Sequence, residues 1–273
     1  MAKAVLTKYR IKSPKLNSKL KITFLSDLHE RPWADLMPLI KENDPDVILI
    51  AGDMLERYDK DINYEFKEAS PKKMNPLKWA LFNIAYYYNF IGVRLFCFKS
   101  RPDTERTYNF FRELVKIAPV YISLGNHEQK LLDEDLELFK SLNINLLDNS
   151  CKDYYFNGDK YIIGGLSSFA DESFLEEFSK KDGYKILLNH HPIYYDVMIK
   201  DKDIDLILSG HNHGGQMRFS DRGLFSSGEG FFPKYDKGIF YNKLIVTAGC
   251  ANTVAMPRIN NPREIVSIEL VEE

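Results

Sequence analysis

The sequence predicts an α/β fold, a β-sheet covered on both faces, on three observations. Residues 21–26, 46–51, 119–124, 184–188 and 206–209 are short, near-continuous apolar runs, as expected of strands buried on both sides. Segments with helical apolar spacing alternate with them, at 36–43, 104–117, 131–142 and 172–180. Each apolar run is followed at once by side chains suited to chemistry, and in open α/β sheets functional groups gather at the carboxyl ends of strands.

In chain order, residues 1–26 carry Lys3, Lys8, Arg10, Lys12, Lys15, Lys19 and Lys21 and no acid. They read as a solvated arm leading into the strand at 21–26, or as an arm lying on an anionic membrane surface. Residues 58–103 break the strand–helix rhythm. They read as an inserted helical segment, apolar nearly all round, with aromatic side chains between Trp79 and Phe98. Residues 69–102 contain no acid but include Lys72, Lys73, Lys78, Arg94, Lys99 and Arg101. The segment is expected either to pack on the body of the protein or to lie at a membrane interface; Arg94 interrupts its apolar stretches, which are too short to span a bilayer. The helix at 104–117 shows apolar spacing at Phe110, Phe111, Leu114 and Val115. A short strand follows at 145–148. Asn157-Gly158 between two aromatic and β-branched runs predicts a hairpin over 151–166. Residues 215–273 read as β-rich, with strands at 244–248 and 264–270. Nothing calls for a second full domain, so residues 1–273 are expected to form one domain with an insertion at about 58–103.

Composition narrows the function classes. The chain has 273 residues and a net charge of -2, so the global basic field of a nucleic-acid binder is missing. Its three cysteines, Cys97, Cys151 and Cys250, are scattered and form no CxxC, which predicts free thiols in a reducing compartment. Residues 1–21 show no apolar leader core. A cytoplasmic location is expected, with peripheral contact at the inner membrane face through residues 69–102.

The five predicted strand ends carry Asp27 and His29; Asp53; Asn126 and His127; His190 and His191; and His211 and His213. All six histidines of the chain fall at four of these ends, a sorting not expected of solvated or core histidines. Aspartate, asparagine and imidazole without thiolate form a mixed oxygen/nitrogen donor set. It suits Mn²⁺, Fe²⁺, Zn²⁺ or Co²⁺, with Mn²⁺ favoured, over an all-oxygen Ca²⁺ site or a structural cysteine–zinc site. The donors are too many for one tetrahedral ion and suit two, the apparatus of in-line displacement at phosphorus.

The sequence here resembles a known family. Asp27-x-His29, Gly52-Asp53, Gly125-Asn126-His127-Glu128, His190-x-Pro192 and Gly210-His211-Asn212-His213 are similar, in order, to the motif set of the calcineurin-like metallophosphoesterases. Gly214-Gly215-Gln216, Pro257-Arg258 and Pro262-x-Glu264 resemble a bacterial branch of membrane-associated phosphoesterases related to UDP-diacylglucosamine hydrolases. The resemblance implies a four-layer αββα sandwich of two mixed β-sheets flanked by helices. It implies that Asp27, His29 and His213 hold a first ion, that Asn126, His190 and His211 hold a second, and that Asp53 bridges them. His127 would face the substrate, and Asp53, Asn126 and His127 would form the catalytic set around a metal-bridging hydroxide.

The expected function is metal-dependent hydrolysis of a phosphodiester, phosphomonoester or pyrophosphate, on a small or lipid-linked substrate. The alternative is a non-catalytic metal-binding scaffold on the same fold. Neighbouring residues keep two readings each. His191 either makes local hydrogen bonds or contacts a ligand or substrate. Glu128 either orients His127 or caps the following helix. Arg31 and Arg57 either meet phosphate oxygens or lie on the surface. Gln216 and Asn252 are further candidates.

Overall fold

The computed structural model of the chain describes residues 3–58, 102–226, 229–253 and 257–273. One six-stranded sheet has the order β1 (Ala4–Ser13), β16 (Arg263–Glu272), β2 (Leu20–Leu25), β3 (Val47–Ala51), β4 (Val120–Ser123), β5 (Asn145–Leu147). The second runs β14 (Gly238–Phe240), β15 (Leu244–Val246), β9 (Leu206–Ser209), β8 (Tyr184–Asn189), β7 (Asp159–Leu166), β6 (Ser150–Phe156), and two short ribbons, β10 (Arg218–Phe219) with β11 (Arg222–Gly223) and β12 (Phe225–Ser226) with β13 (Gly230–Phe231), lie between β9 and β14 in the chain. Both six-stranded sheets are mixed: β2 to β5 are parallel, as are β7, β8, β9 and β15, while β16–β2, β6–β7 and β14–β15 are antiparallel.

The two-residue period of a strand sorts each apolar run into two cores. Ile22, Phe24, Val47, Leu49 and Ala51 from the first sheet meet Ile163, Ile186, Leu188, Leu206 and Leu208 from the second, in the layer between the sheets. The alternate residues Leu25, Ile48, Ile50 and Ile122 face outward onto helices α1 (Met37–Asn43), α2 (Thr104–Leu114) and α3 (Asp133–Ser141), through Ile40, Phe110, Phe111 and Phe139. On the far side Ile162, Leu187, Ile207 and Val246 pack against Leu175 and Phe178 of α4 (Glu172–Ser179), and against the single π-turn Tyr195–Ile199. These are the four layers expected. Local chemistry sets the ends of elements: the Asp103 side chain accepts from the amide of Arg106 and caps α2, Asp171 caps α4 through Ser173, and Asn157 and Gly158 take the left-handed backbone the β6–β7 turn needs (φ 47 and 88).

One expectation is corrected. Residues 4–13 are no arm but β1, paired in parallel with β16 over its whole length. Tyr9 and Ile11 pack on the core between the sheets, while Lys8, Arg10 and Lys12 alternate outward into solvent. The helical reading of 58–103 falls almost wholly on residues 59–101, outside the described residues.

At the end of the sandwich where β2 and β7 begin, a buried carboxylate ties the sheets together. Asp159 accepts from the backbone amides of Asn17 and Ser18, from the Asn17 side chain at 2.8 Å and from the Ser18 hydroxyl at 2.8 Å. Burial resists its charge, but these donors hold the carboxyl below its ordinary range. Asp159→Ala is expected to lower the unfolding free energy by about 1–3 kcal/mol, read from the urea midpoint at an unchanged m-value. Because the folded-state pKa is the lower one, this contribution is complete above the carboxyl's unfolded value of about 4 and is lost as pH falls through the folded one. The gap between variant and unsubstituted protein should therefore close in acid.

Candidate metal centre

Parallel strands bring their carboxyl ends to the opposite end of the sandwich. β2 runs into Asp27, β3 into Asp53, β4 into Asn126, β8 into His190 and β9 into His211. The loops after β2 and β3 lie side by side, joined by hydrogen bonds from Asp27 N to Gly52 O (3.1 Å), His29 N to Asp53 O (2.9 Å) and Glu30 N to Met54 O (3.0 Å). Asp27, His29, Asp53, His211 and His213 all have left-handed backbones, with φ of 59, 51, 56, 72 and 46. Such angles cost roughly 1–3 kcal/mol each in a non-glycine residue and cluster where function demands them. Two glycines are required by space: a Cβ on Gly125 would sit 2.1 Å from Asp53 Oδ1, and one on Gly210 would sit 2.4 Å from Asp27 Oδ2.

Among the described residues, three groups of side chains have donor atoms close enough to hold an ion; one of them, His29, Glu56 and His127, shares His29 with the first of the two groups built on aspartates. In the first, Asp27 Oδ1 lies 3.5 Å from His213 Nε2 and 3.9 Å from His29 Nε2. In the second, Asp53 Oδ2 lies 3.1 Å from His190 Nε2, with His211 alongside. His211 Nδ1 is 2.9 Å from Asn126 Oδ1. Asp53 Oδ2 is also 3.5 Å from His29 Nε2, which places this carboxylate between the groups. The imidazoles are oriented from behind: His29 Nδ1 meets Glu56 Oε1 at 3.0 Å and His190 Nδ1 donates to the carbonyl of Ala51 at 2.7 Å. Their Nε2 atoms are buried, point at carboxylates, and have no hydrogen-bond partner among the described residues. Donors that ligate one ion at about 2.1 Å stand about 3–4 Å from each other, the separations seen here. The side chains fit divalent ions.

Electrostatics couples the carboxylates to the imidazoles. Burial opposes the charge of Asp27 and Asp53, yet the surrounding imidazoles, His213 and His29 for the first and His190 and His127 for the second, hold both well below the usual carboxylate range. His29 is pushed up to about 10, against burial, by Asp27 and Glu56, and His190 to about 9 by Asp53. Burial drives His211 and His213 down to about 3, toward neutral, lone-pair-bearing rings.

Other candidates settle differently. Glu128 neither orients His127 nor caps α3. It is buried and accepts from the backbone amides of Asp53 (2.7 Å), Met54 (2.5 Å), Leu55 (2.9 Å) and Gly125 (2.8 Å), so it staples the β3 loop to the β4 loop. Arg57 is neither at the surface nor turned to the centre. It forms a two-pronged pair with Asp135 (2.8 and 2.8 Å) and a third bond to Glu30 (2.9 Å), all buried. Arg31 is half-buried. His191 is buried and bonds the Ser168 hydroxyl through Nε2 at 3.0 Å, with its ring 4.4 Å from that of His211. The Gln216 side chain donates to Asn252 at 2.8 Å. Sequence reasoning missed Glu56, whose two oxygens reach His29 Nδ1 and His127 Nδ1 (3.0 and 2.8 Å). Its one signal was an acid three residues after Asp53 in a ligand-bearing loop.

Comparison with known proteins agrees with this geometry. The sequence profile of the calcineurin-like phosphoesterase family matches residues 20–215, which include every candidate ligand. The uncharacterized protein YpbG of Bacillus subtilis (strain 168) is 26% identical over 216 residues, 77% of this chain and 67% of its own length. The uncharacterized metallophosphoesterase Cj0846 of Campylobacter jejuni is 28% identical over 282 residues, 95% of this chain and 61% of its own length. The phosphodiesterase YaeI of Escherichia coli (strain K12) is 25% identical over 268 residues, 92% of this chain and 82% of its own length. The chain thus spans about two thirds of the length of the first two.

Removing the Glu128 carboxylate leaves four buried amides without acceptors. Glu128→Ala is expected to cost about 3 kcal/mol or more of unfolding free energy, and Glu128→Gln less, because an amide oxygen still accepts. Urea denaturation measures both; a loss under ~1 kcal/mol for the alanine variant would show that the two loops are held by something else.

Proposed function

The chain belongs to the calcineurin-like phosphoesterases, metal-dependent hydrolases of phosphoric esters, and from that premise we propose the roles of its own residues. Asp27, His29 and His213 hold one divalent ion, Asn126, His190 and His211 hold a second, and Asp53 serves both. The observation that carries this reading is the pair of buried Nε2 atoms of His29 and His190, set 3.5 and 3.1 Å from Asp53 Oδ2 without a hydrogen-bond partner among the described residues. Donors of oxygen and imidazole nitrogen without thiolate favour Mn²⁺ among Mn²⁺, Fe²⁺, Zn²⁺ and Co²⁺. When bound, two such ions neutralise charge on a phosphoryl group and make water nucleophilic near neutral pH.

His127 handles the proton. Its backbone amide donates to Asp53 Oδ1 at 2.9 Å, which fixes the residue against the centre. With Nδ1 held by Glu56 at 2.8 Å, its Nε2 is 3.8 Å from Asp53 Oδ2, and the side chain stays a quarter exposed. An imidazole held in this way presents Nε2 to the leaving oxygen as proton donor. Asn126 contributes its side-chain oxygen from the preceding residue. A phosphodiester is the first ester class to try, since YaeI carries the name phosphodiesterase.

The finer reading is a lipid-linked or otherwise amphipathic substrate met at an anionic membrane surface, as in the UDP-diacylglucosamine-hydrolase-like branch. It is supported by the acid-free, aromatic composition of residues 69–102. It is also supported by where that stretch joins the described structure. Tyr58 hydrogen-bonds His127, with the two rings 5.0 Å apart, and Asp103 N donates to Glu30 O at 3.2 Å, one residue beyond His29. Among the described residues no helix is long and apolar enough to cross a membrane.

The test is metal-stripped protein refilled with Mn²⁺ and offered an activated phosphodiester, an activated monoester and a lipid-linked pyrophosphate. Two ions per chain and turnover of at least one substrate are expected. Asp53→Ala should lose both ion binding and turnover. His127→Ala should keep both ions and lose about 100- to 1,000-fold in kcat. Two bound ions with no turnover on any of the three would favour the scaffold reading instead.

A further inference from the structure

Residues 250, 251, 258 and 261, after β15, form a strap against the first ligand group. Cys250 N donates to Ser26 O at 2.8 Å and Ala251 N to Asp27 O at 3.0 Å, while the Asn261 side chain donates to the carbonyl of His213 at 2.7 Å. Within this strap sits Arg258, partly buried. Its Nη2 donates to the Ala251 carbonyl and lies 3.2 Å from His213 Nδ1, its Nη1 reaches the Pro262 carbonyl only at 3.5 Å, and its buried Nε has no partner among the described residues. The carboxylates on neighbouring residues are already paired, Glu264 with Lys237 and Asp35 with Arg263.

The hydrogen-bond arithmetic does not close. A guanidinium offers five N–H donors, and carbonyls take two of them here. His213 turns Nε2 toward Asp27 Oδ1; a ring that ligates through Nε2 carries its proton on Nδ1. Guanidinium and imidazole then present two donors to one another with no acceptor between them. A cation in this state, beside two proposed ion sites and without a carboxylate of its own, is completed by an anionic oxygen.

We infer that Arg258 is a substrate-binding residue, taking phosphoryl oxygens that the ions do not. The inference rests on the reading of the site as a metal phosphoesterase centre. It adds a binding residue from beyond the span matched by the family profile, which ends at residue 215. Arg258 does no proton transfer in this role; it holds the oxyanion by charge-assisted hydrogen bonds.

The test uses the whole chain loaded with Mn²⁺, with inorganic phosphate as the probe. Phosphate binding is titrated calorimetrically for the unsubstituted protein, Arg258→Gln and Arg258→Lys, and bound ions are counted by elemental analysis. The phosphate dissociation constant should rise about tenfold or more for Arg258→Gln and by less for Arg258→Lys, which keeps the charge but not the planar fork. Both variants should keep as many ions as the unsubstituted protein. If the glutamine variant does not fold, the lysine variant decides by the same two readings. Phosphate binding that is unchanged by substitution, or absent from the unsubstituted protein, overturns the inference. So does loss of an ion from a folded variant, because Arg258 would then act only through His213. Phosphate binding weakened by substitution in a protein that hydrolyses no ester would leave Arg258 as an anion-binding residue and sink the enzymatic reading alone.

Discussion

Two fully buried carboxylates, Asp27 and Asp53, have imidazoles as their ion-pair partners among the described residues. No lysine or arginine pairs with either among the described residues. Burying a carboxylate without a compensating charge costs several kcal/mol, and two side by side repel each other. The rest of the fold holds this arrangement in place. The left-handed backbones at five of the site residues, the glycines that clear space for each carboxylate, and the Glu128 cage that fixes two loops all place these oxygens where protonated His29 and His190, or a bound cation, must balance their charge. The favourable terms that sustain such strain lie in the layer between the sheets, where aliphatic and aromatic side chains from both inner faces are buried together.

The layer between the sheets also explains why the centre draws on both. Asp27, Asp53 and Asn126 come from one sheet, and His190, His211 and His213 from the other. The link between them is short: His190 Nδ1 donates to the Ala51 carbonyl at the end of β3, and His211 N donates to Asp27 Oδ1 at 3.1 Å. Changing the separation of the sheets would therefore change ligand distances directly. A change in core volume between the sheets is felt at the centre as well as in stability, because protein interiors transmit such shifts.

The parts of this design visible in sequence are those written locally. An apolar run followed by Gly-Asp or Gly-His states both a buried strand and what stands at its end, and Asn157-Gly158 states its turn. The four-layer expectation came from motif order, and the packing clusters match it. What the sequence hid depends on partners far along the chain. β1 alternates lysine and arginine with apolar residues and looks like a tail until β16 supplies its hydrogen bonds. Glu128 and Arg57 stand two and four residues after proposed ligands in sequence, but their side chains turn away into buried contacts. Adjacency to a motif does not fix the direction of a side chain. Glu56 was hidden for the converse reason: an acid in a loop is ordinary until two imidazoles are brought to its two oxygens.

The Arg57 cluster ties the described residues on either side of 59–101 to the loop that carries His29. Arg57 lies just before that stretch and Thr104 just after it. Both bond the same oxygen of Glu30, at 2.9 and 2.8 Å, while Asp135 takes the other side of the guanidinium and the Tyr108 hydroxyl at 2.6 Å. A buried ion-pair network of this kind is weak support for stability but strong support for geometry, since breaking one member strands the others. Glu30 follows His29, so the network fixes where the chain leaves and re-joins relative to a proposed ion ligand. Length and composition can change between these two fixed points at little cost in loop entropy without moving His29 or His127. The proposed specificity for amphipathic substrates and the proposed metal chemistry are thus assigned to different segments of one chain, joined at fixed points.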